Sequence, residues 1–324
     1  MDKKNGLIFG YILDGKGGGA AIDGQRLKQW TPDQGLLWVH LDYSSKDVQN
    51  WLRTESHLSE ISSEILLAQD TRPRLVSSTE GLFLILRGVN CNPGSDPEDM
   101  VALRMCFADH RIITLRQRRV MAIEDIQKAI ASGNGPTDPG DFLVTVSKRI
   151  SDRIGGVISE IDDRVDELED SVVTEKSYRL RTMLSDLRRQ CISLRRYIAP
   201  QRDVLARLQD ERFGWLSDMD KIHLRETAER TVRYVEDIDS ARDRAAITQE
   251  ELNNRLSEQM NKAMYVLSIV AAIFLPLGLI TGLLGINVGG LPGVESSLAF
   301  YNVSLFLLLL GLLLVWLFIR IKWL

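Results

Sequence analysis

Residues 263–294 read AMYVLSIVAAIFLPLGLITGLLGINVGGLPGV, and none of these side chains is charged. Glu295 interrupts, and residues 296–319, SSLAFYNVSLFLLLLGLLLVWLFI, are again free of charge. A helix needs about 20 apolar residues to cross about 30 Å of hydrocarbon, and both runs are longer than that. Between them, Gly285 to Gly293 holds four glycines and a proline in nine residues, a composition that ends helices and makes loops. The pattern predicts a transmembrane hairpin over 263–324, with spans at about 263–284 and 297–319 and a short external loop over 285–296. The competing reading, a buried core helix, accounts poorly for two such runs with basic ends.

The flanks give the orientation. Lys262 precedes the first span, Arg320 and Lys322 follow the second, and the loop carries Glu295 but no Lys or Arg. Basic residues stay on the cytoplasmic side, so both termini are expected in the cytoplasm. The opening Met1-Asp2-Lys3-Lys4-Asn5 leads straight into a strand-like run, without the apolar core of a signal peptide.

Upstream of the hairpin, no Gly or Pro falls between Asp218 and Ala263. Ser217 is placed to cap a helix, and Val232, Val235, Ile238, Ala241, Ala245, Leu252, Leu256 and Met260 follow helical spacing. A stalk helix over 218–262 therefore runs into the first span. From 218 to 284 it would be roughly 100 Å long at 1.5 Å per residue. A helix of that length with polar faces needs partners, either neighbouring helices or copies of itself, which predicts an oligomeric bundle.

Residues 132–217 read as helical, over 141–173 and 177–209, with Pro200 expected to interrupt the second. In Ile158 to Asp170, apolar residues recur at 158, 161, 165 and 168, and the other face is crowded with carboxylates against the single Arg164. That face is either simply solvated or gathers divalent cations, which take oxygen ligands. Residues 1–131 alternate short β runs with turns and end in a helix over 119–131. Strands are expected at 7–13, 36–42, 82–89, 101–107 and 111–115, the last three as a meander, with a polar helix pair across 46–69 capped at Ser59. This is an α/β domain. The turn Asp14-Gly15-Lys16-Gly17-Gly18-Gly19 lacks the Gly-Lys-Ser/Thr and following helix of a phosphate loop.

The 324 residues carry a net charge of −4, which is not the balance of a nucleic-acid-binding protein. Cys91, Cys106 and Cys191 have no CxxC spacing and read as reduced thiols. No nucleophile–base set or metal-ligand cluster points to an enzyme or to a resident cofactor.

Two helices enclose no lumen, but a symmetric ring of hairpins does. At about 100° per residue, Met264, Leu267, Ser268, Ala271, Leu275, Gly278 and Gly282 fall along one line of the first span. This stripe is the expected pore lining, or else a close-packing face. The second span, leucine on all sides, suits lipid. A helix stopping at Gly285 would let the carbonyls of Gly285 and Ile286 and the Asn287 amide ring the mouth as a filter. Three classes compete: a metal transporter, a membrane-tethered enzyme, and a sensor that uses the hairpin only as an anchor. An anchor needs neither the Gly-Ile-Asn turn nor a helix continuous with the span.

Gly285-Ile286-Asn287 at the end of the first span, the long stalk and the terminal Lys322-Trp323-Leu324 together resemble the CorA superfamily of divalent-cation transporters. So do Thr71-Arg72-Pro73-Arg74, Leu115-Arg116-Gln117-Arg118, Gly135-Pro136-Thr137-Asp138 and the run from Arg195 to Asp203. Within that superfamily the match is closest to the zinc-transporting branch. The resemblance implies a homopentamer in a bacterial inner membrane, with a cytosolic funnel, the first spans around the pore and the second spans outside them. It also implies proton-coupled Zn2+ uptake, the alternatives being zinc efflux or a passive magnesium, cobalt or nickel channel. Ile286 stands where the magnesium branch has Met, and the loop after Asn287 lacks that branch's acidic residues apart from the nearby Glu295.

His40, His57, His110 and His223 all lie far from the spans in sequence, so the tight His/Cys site that zinc prefers is not expected in the pore. An ion that keeps its water and is read by amides and carbonyls fits better. Such a filter would discriminate poorly among Zn2+, Ni2+, Co2+ and Cd2+. Glu295 outside and Glu250 and Glu258 inside are the expected cation-attracting acids. Between Lys262 and Glu295 the one ionisable side chain is Tyr265, so any proton coupling is expected at the ends of the pore.

Overall fold

The computed structural model describes residues 6–69, 71–108, 110–174, 178–210, 213–286 and 296–321. The chain divides into two compact units, Met1–Gln249 and Glu250–Leu324.

The first unit is built on a seven-stranded sheet: β1 (Leu7–Leu13), β2 (Gly19–Ile22), β3 (Leu36–Asp42), β4 (Arg74–Ser78), β5 (Gly81–Gly88), β6 (Val101–Ala108) and β7 (Arg111–Arg116). The order is β2-β1-β3-β7-β6-β5-β4. All neighbours are antiparallel except β3 and β7, where Val39 pairs with Ile113 in parallel. The expected meander of the last three strands is present. The two outermost strands, β2 and β4, were not anticipated from the sequence.

Both faces of the sheet are covered, because its strands alternate two apolar sets. Leu37, Val39 and Leu41 of β3 join Ile113 and Leu115 of β7 in one cluster. That cluster packs against α1 (Gly24–Gln29), α2 (Lys46–Thr54) and α3 (Glu60–Leu67) through Leu27, Trp51, Leu52 and Leu66. On the opposite face Trp38 and Phe107 meet Phe142, with ring centroids 5.0 and 6.1 Å apart. Phe142 belongs to α5 (Pro139–Thr174), which follows α4 (Met121–Ala131).

Several helix starts follow the capping chemistry. The Asp23 carboxylate accepts from the Gln25 and Arg26 amides at 3.1 and 2.9 Å. The Ser59 hydroxyl accepts from Ser62 N at 3.2 Å, as expected. Ser217 and Asp220 cap each other reciprocally, Asp220 N donating to Ser217 Oγ at 3.1 Å and Ser217 N to Asp220 Oδ2 at 2.9 Å. This opens α7, which runs without a break from Asp218 to Leu284.

The expected interruption at Pro200 does not occur. The proline lies inside α6 (Tyr178–Leu208). Buried Leu194 and Ile198 precede it, and Val204, Leu205 and Leu208 follow. A proline inside a helix costs about 3 kcal/mol, and burying one large apolar side chain contributes about 1.5–3 kcal/mol, so a face that continues on both sides outweighs the break.

In the second unit, the end of α7 and α8 (Ala299–Arg320) are, among the described residues, the two helices long and apolar enough to cross a membrane. Their apolar windows are almost entirely unburied, which excludes the core-helix reading.

Candidate functional site

Within 269–280, where the first span is partly covered, Leu275 and Gly278 of the stripe are exposed and Ala271 is half-buried; its other members lie where α7 is exposed all round. Met264, Leu267 and Leu275 are 61, 69 and 70% exposed. Ser268, Gly278 and Gly282 are exposed as well, and Ala271 is half-buried. The other covered residues, Ile269, Ala272, Ile273, Pro276, Leu277 and Ile280, centre about 150° away around a helix of 100° per residue. There α8 packs: a Cβ built on Gly311 would lie 3.8 Å from Leu277 Cδ1. The half-buried residues of α8 include Val303, Leu307, Leu310, Leu314 and Phe318, spaced by threes and fours along one face. The second span is therefore sided rather than uniformly lipid-facing, with one face set on α7.

The polar members of the first span are turned onto their own helix. Ser268 Oγ donates to the Met264 carbonyl at 2.8 Å, and Thr281 Oγ1 to that of Leu277 at 3.0 Å. Each hydroxyl then offers only its oxygen lone pairs to anything beyond the helix.

Helix α7 ends where expected. Gly285 N donates to the Thr281 carbonyl at 2.9 Å, the last turn of the helix. A Cβ at Gly285 would sit 3.1 Å from that carbonyl oxygen, closer than a side chain normally comes. Ile286 follows, half-exposed at 48%. Asn287, Glu295 and the tail Lys322-Trp323-Leu324 lie outside the described residues.

Of the stalk acids, Glu250 and Glu258 are both exposed. Continuing the helical count backwards, Glu250 comes within about 40° of the line through Met264, whereas Glu258 stands about 120° off it. Only the first is aligned with the stripe. Residues 256–268 of α7 are exposed on every side, although Val235, Ile238, Ala241, Ala245 and Leu252 of the same helix are buried.

The carboxylate-rich segment of α5 buries Ile158, Ile161, Val165 and Leu168, as expected. Part of its acidic face is satisfied within the fold. Arg244 of α7 donates to Asp166, and its Nε reaches Glu169 Oε1 at 3.0 Å. Those carboxylates hold the guanidinium pKa above its usual value. Asp162 titrates higher than an ordinary aspartate, first because it is partly buried and then because Asp237 faces it. The pairing with Arg244 was missed from the sequence, because Glu169 and Arg244 are separated by 75 residues. Among the described residues no group of three or more His, Cys, Asp or Glu side chains could hold a metal ion. His40 is fully buried in the sheet, its Nδ1 2.8 Å from Thr114 Oγ1, and burial pushes its pKa down to about 3.

Residues 33–320 match the family described as CorA-like Mg2+ transporter protein. The divalent cation transporter CmaX of Pseudomonas aeruginosa is 38% identical, over 99% of this chain and 98% of that one. The zinc transport protein ZntB of Yersinia enterocolitica is 36% identical, over 98% of this chain and 96% of that one. The full-length CmaX structure superposes with a TM-score of 0.85 over 98% of both chains, at 36% identity. The CorA magnesium transporter of Methanocaldococcus jannaschii superposes at 0.81 over 98% of this chain and 99% of that one. At 17% identity that match speaks for the fold alone.

Proposed function

The chain belongs to the CorA-like Mg2+ transporter family and is a membrane transporter of divalent cations, and from that premise we propose that it takes up Zn2+ into the cytoplasm with protons, through a homopentameric pore lined by α7. Membership makes it an ion transporter rather than an enzyme. The metal is cargo.

The observation that carries the pore assignment is the opposition of two faces on α7. Leu277 rests against α8, while along the line from Met264 to Gly282 every residue but the half-buried Ala271 is exposed. A ring of hairpins places that line on the axis, with α8 outside. The exposure of 256–268 on all sides supports the same arrangement, because a helix bare all round gains stability only from packing. Five copies would also bring Glu250 towards the axis below the membrane. The filter would be Gly285, Ile286 and Asn287, and the external acid Glu295. Both termini would lie in the cytoplasm of a bacterial cell, beneath the inner membrane.

Zinc is favoured by the relatives named as zinc transport proteins, which match over nearly the whole chain. A passive channel for magnesium, cobalt or nickel is the second reading, favoured by the family description and by CmaX, named for divalent cations without a specified metal. Zinc efflux is the third.

Uptake into proteoliposomes separates them. Zinc, nickel, cobalt, cadmium and magnesium would be measured with and without an inward proton gradient. Uptake stimulated by the gradient and strongest for zinc supports the proposal. Indifference to the gradient makes the passive channel the better reading. Glu295→Gln in the same assay asks whether the external acid couples the protons, and Asn287→Ala is expected to abolish or deselect flux.

A further inference from the structure

A cavity of about 650 Å³ opens in the first unit between α1, α2 and the β3–β7 pair. Its inner surface is apolar, from Leu27, Leu37 and Ile113, and the indoles of Trp30 and Trp51 wall it. Trp30 Nε1 already donates to the Gly35 carbonyl at 3.2 Å, so that indole offers the cavity a ring and not a donor.

The polar groups that reach the cavity are unequally matched. At the rim, Lys28 Nζ lies 3.5 Å from Glu55 Oε2, and these two charges offset each other. Arg111 has no such partner among the described residues. Its Nη1 donates to the Ser56 carbonyl, its Nε is buried without a hydrogen bond, and no carboxylate among the described residues lies within ion-pair distance. Glu80, the acid whose titration senses Arg111, is occupied by the Ser59 amide at 3.0 Å. Next to this guanidinium the cavity is edged by His57, a non-glycine residue held at φ +55°. Such conformations cluster at ligand sites.

An aromatic, apolar hollow of this size with one half-buried guanidinium that has no ion-pair partner among the described residues has the form of a small-molecule site. The missing component is an anion: with Nε buried and one Nη1 hydrogen given to Ser56, a carboxylate would be read from the Nη2 end of the guanidinium by charge-assisted hydrogen bonds. We propose that this cavity binds an aromatic monocarboxylate, its ring against Trp30 and Trp51 and its carboxylate on Arg111. Every residue lining this site belongs to the first unit and none to the membrane hairpin.

The test uses 4-bromobenzoate, whose bromine quenches indole fluorescence, added to the full chain in lipid nanodiscs. The readout is the quenching lost in the Trp30→Phe/Trp51→Phe double variant, which removes the contribution of indoles elsewhere. Saturable quenching is expected for the wild type. Binding should weaken roughly tenfold or more when the charged hydrogen bonds go, either through Arg111→Gln or through 4-bromobenzamide in place of the acid. Arg53→Gln, on α2 outside the cavity lining, should bind as the wild type does. The proposal is overturned if the double variant is quenched as much as the wild type, if the amide binds as tightly as the acid, or if folded Arg111→Gln titrates unchanged. Should Arg111→Gln fail to fold, the comparison of acid and amide on the wild type decides alone.

Discussion

Leu277 of α7 rests on Gly311 of α8, with 3.8 Å between its Cδ1 and the place where a Cβ would stand on the glycine. The contact is ordinary van der Waals distance, so one methyl group fits and a ring does not. Small residues that let two helices approach are the usual means of association in lipid. Gly311→Ala should leave thermal stability in detergent within about 0.5 kcal/mol of wild type. Gly311→Phe should lower it by about 1–3 kcal/mol, the typical cost of overpacking. A tolerated phenylalanine would mean that the helices are farther apart than they stand here.

Leu275 and Val270 separate the two sides of the first span. Leu275 is 70% exposed and lies on the proposed axial line, while Val270, 44% exposed, points about 120° away from it. Apolar rings can close a pore by dewetting. Leu275→Ser should therefore raise ion leak through proteoliposomes by several-fold, and Val270→Ser should not. Equal leak from both would rotate the pore lining away from the line through Met264.

His40 provides a pH dependence with a definite sign. Its ordinary pKa of 6.5 falls to about 3 in the folded chain, chiefly because burial disfavours the imidazolium. Between those values the unfolded chain binds more protons than the folded one. The neutral ring's contribution is fully present above pH 6.5 and is lost as the pH falls towards 3. The slope is about 1.4 kcal/mol per pH unit inside that window. His40→Phe should abolish this part of the acid sensitivity, so the stability difference between wild type and variant, measured by urea titration, should be flat above pH 6.5 and change steadily below it. A difference that stays constant down to pH 4 would show that the ring does not titrate with the fold.

Arg244 ties α7 to α5 through Asp166 and Glu169. The three side chains are 35, 65 and 37% exposed, so solvent screens the pair. Arg244→Gln should cost roughly 1 kcal/mol, the upper range for exposed ion pairs, and the loss should shrink in high salt. Thermal melts of wild type and variant at two ionic strengths check both statements.

The hairpin, the stalk and the central strands could be read from the sequence because each carries a strong local signal. Residues 263–286 lack charge throughout, and β3, β5 and β6 are runs of buried apolar residues. The two edge strands carried no such signal. Gly19–Ile22 is four residues, of which the first three are small and exposed and only Ile22 is buried, and Arg74–Ser78 buries only Leu75. Short, half-polar edges are how sheets avoid pairing with other chains, and that also hides them from periodicity. Six-residue α1 was missed for a similar reason, because its main local cue is the cap at Asp23. Pro200 misled because a local rule was applied without the tertiary face that overrides it. Of the candidate site, the stripe was legible from helical arithmetic, but the face that α8 covers was not, since it depends on which side of each span the other approaches.

The bareness of residues 256–268 has a consequence for a newly made subunit. If neighbouring subunits supply the missing contacts, the order of this stretch is set by mass action. Dilution into excess lipid would loosen it first, while the sheet, whose contacts are internal to one chain, would hold. Loosened backbone is what a protease cleaves, so Arg255 and Lys262 would become trypsin sites in a stranded subunit and be shielded in an assembled one.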